Sequence, residues 1–87
     1  MYSKLIKAKS ILVNYIDEVS KLDYDSIEYL IDTIDYLLLG KIPINDEILN
    51  IILQDIIVTN CIQKSPNLHK VALIISDIIK ENGLCTK

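Results

Sequence analysis

The chain has 87 residues, of which 51% are hydrophobic and 24% charged, and it contains no Arg, Trp or Phe. This length accommodates one domain with one core, and the apolar content excludes an intrinsically disordered chain. The net charge of −3 and the lack of Arg argue against a nucleic-acid-binding protein, because such proteins present a clustered basic surface.

The first predicted helix covers residues 3–22. Its apolar residues recur at spacings of three and four, which is the period of an amphipathic helix. They are Leu5, Ala8, Leu12, Tyr15, Val19 and Leu22. Lys7, Lys9 and Asp17 interrupt the apolar positions, so we expect no secretory leader and an intracellular, cytoplasmic protein.

The second predicted helix covers residues 26–39. Asp25 and Glu28 have the spacing of a capping box, which predicts a helix start at that point. Gly40 supplies a left-handed stop at the other end. The expected core stripe is Ile27, Leu30, Ile31, Ile34 and Leu38.

The third predicted helix covers residues 46–64, after the capping residue Asn45. Its apolar residues cover most of the circumference, which is typical of a central helix or one with contacts on two sides. Polar residues interrupt the run before it reaches the roughly 20 apolar residues that span a bilayer, so no membrane segment is expected.

The fourth predicted helix covers residues 66–82. Ser65 is its expected cap, Pro66 occupies the first helical position, and Gly83 followed by Leu84 forms the stop. The expected core stripe is Leu68, Val71, Ala72, Ile75, Ile78 and Ile79. Short connections favour antiparallel neighbours, so the sequence predicts an all-α fold, a small antiparallel bundle of about four helices in a single domain.

More apolar side chains are present than so small a bundle easily hides, which favours a homo-oligomer, a dimer above all, or a larger protein partner. Tyr29 and Tyr36 form an aromatic stripe on the second helix, and aromatic residues are enriched at interfaces. The candidate interface residues are Tyr29, Tyr36, Ile57 and Ile74. The expected function is a non-enzymatic protein–protein interaction or regulatory module.

A small enzyme or metal protein is one alternative. Cys61 and His69 approach each other across the turn at Ser65, which is the minimal pairing for a nucleophilic thiol. Glu28, Asp32 and Asp35 share one helix face, as hard-cation sites and acid–base pairs require. A structural Cys, a surface His and a solvated acidic face are the commoner explanations.

No cofactor, metal or small-molecule substrate is expected, because the positions of His69, Cys61 and Cys85 match no paired-ligand zinc pattern. Cys61 and Cys85 fall near opposite ends of the antiparallel pair formed by the third and fourth helices. That places them roughly 25 Å apart at 1.5 Å rise per residue, too far for a disulfide.

A nucleic-acid-associated factor is the other alternative, with Lys4, Lys7 and Lys9 as the basic surface of the first helix. The same three residues are also placed to form ion pairs with the acidic strip of the second helix, within one chain or across a dimer. Abundant Lys, Asn, Ile and Tyr without Arg indicates AT-rich coding, as in a small viral or accessory protein.

Overall fold

Four helices make up the part of the chain that the computed structural model describes, which is residues 2–19 and 21–81, with the backbone alone for Leu22. They are α1 (Tyr2–Ile16), α2 (Lys21–Leu39), α3 (Asp46–Gln63) and α4 (Pro66–Glu81), and these residues contain no strand. Each helix packs on the next, and α1 also packs on α4. Lys4 near the start of α1 pairs with Glu81 at the end of α4, as antiparallel helices require. The predicted antiparallel four-helix bundle is confirmed.

All four helices contribute to one apolar core. Burial of each large aliphatic side chain stabilises the fold by about 1.5–3 kcal/mol, and small domains depend strongly on such a core because they bury a smaller share of their surface. The buried residues are Leu5, Ala8, Leu12, Ile27, Leu30, Ile34, Leu37, Leu49, Ile52, Ile56, Leu68, Val71, Ile75, Ile78 and Ile79. The stripe predicted for α4 is therefore the core face, with Ala72 only partly buried.

The boundary between α1 and α2 differs from the prediction of one helix to residue 22 and another from residue 26. α1 ends at Ile16, and Glu18 donates its backbone N–H to the Tyr15 carbonyl in the turn that follows. α2 begins at Lys21, which places Asp23 in the first turn near the positive end of the helix dipole. Asp25 lies inside α2, so the predicted capping box is wrong.

The core face of α2 also differs from the predicted stripe. Leu37 is fully buried, whereas Leu38, which the periodicity assigned to the core, is only partly buried against it. The shift arises because α2 contacts α1 on one side and α3 on the other, so its buried face depends on the placement of both neighbours. Ile31 is likewise partly buried.

α3 is not a central helix, but it packs on both α2 and α4, as the alternative of contacts on two sides predicts. Its buried residues are Leu49, Ile52 and Ile56, which lie on one face. The opposite sides leave apolar side chains in solvent, and these exposed residues are Ile51, Ile57, Val58 and Ile62. No helix in the described ranges is long and apolar enough to cross a membrane.

Three predicted helix boundaries are confirmed by their capping geometry. Gly40 has φ 75°, and the Lys41 N–H donates to the Tyr36 carbonyl at 2.9 Å, as in a Schellman motif. The Asn45 side chain accepts from the Ile48 N–H at 2.9 Å. The Ser65 hydroxyl accepts from the Asn67 N–H at 3.1 Å at the start of α4. The predicted stop at Gly83 and Leu84 lies outside the described residues.

The end of α3 depends on a left-handed residue that is not glycine. Lys64 has φ 51° and ψ 50°, and its N–H donates to the Asn60 carbonyl at 2.7 Å. The Asn60 side chain accepts the N–H of Ser65 at 2.6 Å, which holds the turn into α4. A residue with a Cβ is strained in this conformation by about 1–2 kcal/mol.

Replacement of Lys64 by glycine at this left-handed position is expected to stabilise the protein. Lys64→Gly relieves the strain, and part of the gain is offset by the greater freedom of glycine in the unfolded chain. We expect the free energy of unfolding, measured by urea denaturation, to rise by about 0.5–1 kcal/mol. Lys70→Gly in the exposed middle of α4 is the control and should lower it by about 1 kcal/mol. Destabilisation by Lys64→Gly would contradict the left-handed cap.

Candidate protein interaction surfaces

The four predicted interface residues lie in different environments. Tyr29 and Tyr36 are 57% and 46% exposed on α2, seven residues apart and thus on one helix face. Ile57 is exposed on α3. Ile74 is partly buried and packs against the core, so it offers little area to a partner. The structure therefore does not bring the four residues together into one surface.

A groove runs between α2 and α3, where neighbouring helices pack least extensively. It has a volume of about 530 Å³. The residues that line it, which define the α2–α3 groove, are Asp25, Ser26, Tyr29, Leu30, Asp55, Val58 and Thr59. Tyr29 and Val58 thus face the same opening from the two helices.

A row of exposed apolar side chains on α3 runs past this groove. Ile51, Val58 and Ile62 are spaced by seven and four residues, which places them on one side of the helix. Val58 is among the residues that line the α2–α3 groove, and Ile51 and Ile62 continue the same side of α3 beyond it. Val58 is 59% exposed and Ile62 is 77% exposed, which is unusual for side chains of this type.

The α2–α3 groove is acidic. Asp25 and Asp55 line it from opposite helices, and none of the described residues that line it is a Lys. Neither carboxylate takes part in an ion pair within the described part of the chain. The groove therefore combines apolar contact area with uncompensated negative charge.

A second groove lies between α1 and the end of α2. It has a volume of about 310 Å³, and the residues that line it, which define the α1–α2 groove, are Ile6, Lys9, Ser10, Val13, Asn14 and Leu38. Lys9 is paired with Asp35 at 2.6 Å, so the charge of this surface is balanced within the chain. Ile6 and Val13 are both exposed.

Sequence reasoning missed Ile6 and Val13. They stand seven residues apart, and so share a helix face that the stripe of Leu5, Ala8 and Leu12 does not include. The seven-residue spacing of these two apolar residues was the feature of the sequence that could have indicated them. It indicates an exposed apolar surface only once the position of α2 beside α1 is known.

A third groove, of about 280 Å³, brings Cys61 and His69 together between α3 and α4. Ile57 lines the same groove, and Cys61 is exposed with a free thiol. No hydrogen bond joins the Cys61 thiol to the His69 imidazole in the described residues. Cys85 lies outside the described residues.

Two of the three basic residues of α1 lie against carboxylates of other helices. Lys4 pairs with Glu81 and Lys9 with Asp35, while Lys7 is exposed. The hydrogen bond from Lys4 is the main cause that holds the pKa of Glu81 below its ordinary value. These pairs fasten α1 to α4 and α2 instead of leaving three free cations on one surface.

The acidic strip of α2 does not form a compact ligand set. Asp35 is engaged by Lys9, and Glu28 and Asp32 are exposed. Among the described residues, no three His, Cys, Asp or Glu side chains are grouped so that they could hold a metal ion.

No protein-family model, curated protein or solved structure matches this chain. Function is therefore inferred from the chemistry of the three grooves.

Proposed function

We propose that this chain is a non-enzymatic protein–protein interaction module that self-associates through the α1–α2 groove. The observation that carries the proposal is the exposure of Ile6 and Val13 beside Leu38, in a groove where Lys9, the one charged residue among the described lining residues, is paired with Asp35. Exposed apolar surface of this kind is typical of a contact with another protein chain. A regulatory role, in which a second chain bound at the α1–α2 groove controls the activity of the complex, is consistent with the same exposed apolar surface.

Charge balance distinguishes this groove from its neighbour as a surface for two identical copies. A two-fold contact brings the same residues of both copies close together. At the α1–α2 groove, Lys9 is the one charged residue among the described lining residues and is paired with Asp35 within each copy, so repulsion between the two copies is reduced. At the α2–α3 groove, the unpaired Asp25 and Asp55 of both copies would repel across the axis.

Two further observations support an intracellular binding protein over the alternatives. Cys61 is an exposed free thiol, which persists most readily in a reducing compartment. The ion pairs of Lys4 and Lys9 reduce the positive charge that α1 offers to a nucleic-acid backbone.

Sedimentation velocity over a dilution series tests self-association. We expect the average mass to rise from 9.9 kDa toward twice that value with concentration. Val13→Glu places a charge inside the contact of each copy, next to its symmetry mate, and should weaken association at least tenfold. Circular dichroism verifies that the variant keeps its helices, as the exposure of Val13 predicts.

Leu73→Glu is the matched control. Leu73 is an exposed aliphatic residue on α4 and lines neither of the two grooves beside α2, so this variant should associate like the unmodified chain. A mass that stays at the monomer value at every concentration would contradict the proposal. Equal association of Val13→Glu and the unmodified chain would contradict the assignment to the α1–α2 groove.

A further inference from the structure

The α2–α3 groove has the features of a docking site for a helix. We infer that it binds a basic amphipathic helix of a different protein, with apolar residues against the groove and Lys or Arg along its edges. Binding of an amphipathic helix to an apolar groove is a recurrent mode of peptide recognition. The inference goes beyond self-association, because it concerns another surface and another partner.

The exposed apolar row of α3 that includes Val58 has the length and spacing that a helix needs. Ile51 and Ile62 are eleven residues apart on one side of α3, which corresponds to about 16 Å along the helix axis at 1.5 Å per residue. Val58 lies between them and faces Tyr29 across the groove. A partner helix of about three turns would contact this row with apolar residues at intervals of three and four positions.

The charge of the groove determines the chemistry of the partner. Asp25 and Asp55 flank the apolar row from α2 and α3. The two helices as a whole are acidic, since α2 carries five carboxylates and one Lys, and α3 carries three carboxylates and no Lys. Such a surface attracts cationic segments and repels acidic peptides, nucleic acids and anionic membranes.

The basic helix of a second copy is a poorer occupant. α1 already uses Leu5, Ala8 and Leu12 in its own core. Two of its three Lys residues, Lys4 and Lys9, are paired with Glu81 and Asp35 of the same chain. A partner with unpaired cations gains more from Asp25 and Asp55 than a second copy does.

Fluorescence anisotropy with a synthetic peptide tests the inference. The probe is an amphipathic helix of about 14 residues with Leu on one face and Lys on the other, and its comparison peptides carry the same residues in scrambled order or Glu in place of Lys. We use the full chain with Val13→Glu, so that self-association does not affect the titration. The Leu–Lys helix should bind at least tenfold more tightly than either comparison peptide.

Two substitutions in the groove distinguish a specific site from general attraction to an acidic protein. Asp25→Asn with Asp55→Asn should weaken binding about five- to tenfold and reduce its salt dependence. Asp17→Asn with Asp77→Asn changes the net charge equally at exposed positions outside the groove, and should change the affinity less than twofold. Val58→Lys should weaken binding at least tenfold.

Three outcomes would overturn the inference. The first is equal binding of the scrambled peptide, and the second is equal loss of affinity in the two Asp→Asn pairs. The third is that the peptide does not bind, and if Val58→Lys then abolishes self-association of the otherwise unmodified chain, the groove is assigned to a second copy. The proposed self-association through the α1–α2 groove is tested separately by Val13→Glu, so either proposal can fail alone.

Discussion

Leu37→Ala is expected to lower the free energy of unfolding by about 3 kcal/mol, because it removes a fully buried side chain and leaves a cavity in the core. A small domain has a total stability on the order of 5–15 kcal/mol, so this change removes a large part of it. Chemical denaturation by guanidinium, followed by circular dichroism, measures the effect.

The next two residues supply matched controls. Leu38 is partly buried and Leu39 is 67% exposed, so the same Leu→Ala change is made at three depths within one helix turn. We expect a loss of about 1–1.5 kcal/mol for Leu38→Ala and less than about 0.5 kcal/mol for Leu39→Ala. The small gain in helix propensity is common to Leu37 and Leu38 and cancels in their comparison, whereas Leu39 is the last residue of α2. A larger loss at Leu38 than at Leu37 would support the periodic stripe instead.

The helix ends that carry a distinctive capping residue could be predicted from the sequence. Gly40, Asn45 and Ser65 each satisfy free backbone groups or adopt a backbone conformation that few other residues provide. Their chemistry is local, so it is visible without knowledge of the fold. Lys64 escaped prediction because its left-handed conformation is imposed by the turn between α3 and α4 and not by its own preference.

The faces of the helices were harder to predict than their existence. On α3, residues such as Ile51, Ile56 and Val58 are chemically alike, yet only Ile56 is buried, because burial depends on which side meets the other helices. For the same reason, the exposure of Ile6 and Val13 on α1 could not be predicted. Tyr29 and Tyr36 could be predicted as surface residues, since a phenol combines an apolar ring with a hydroxyl that favours water.

The prediction of the boundary between α1 and α2 was wrong for a different reason. Neither Gly nor Pro marks the region between Ile16 and Lys21, while Asp25 and Glu28 reproduce the spacing of a capping box. Local chemistry thus favours a helix start near Ser26, whereas the structure begins α2 at Lys21. The earlier start lengthens α2 alongside α1 and places Ser26 in the wall of the α2–α3 groove.

Ser26→Pro is therefore expected to destabilise the protein by about 3 kcal/mol or more. Ser26 lies in the second turn of α2, where a proline removes the hydrogen bond to the carbonyl four residues earlier and clashes with it. Guanidinium denaturation measures the loss, and the far-ultraviolet circular dichroism should decrease if the first turn of α2 unwinds. Ser26 is exposed, so lost packing contributes little to the result.

Two companion substitutions separate the two possible helix starts. Lys21→Pro occupies the first helical position, where proline is tolerated, and should change the stability by less than about 1 kcal/mol. Asp25→Ala should be close to neutral, because Asp25 is an exposed residue within α2, whereas loss of a true capping residue costs about 1 kcal/mol. If α2 began at Ser26, the order would reverse: Ser26→Pro would be tolerated and Asp25→Ala would destabilise, because the start of the helix decides which backbone N–H groups lack a partner.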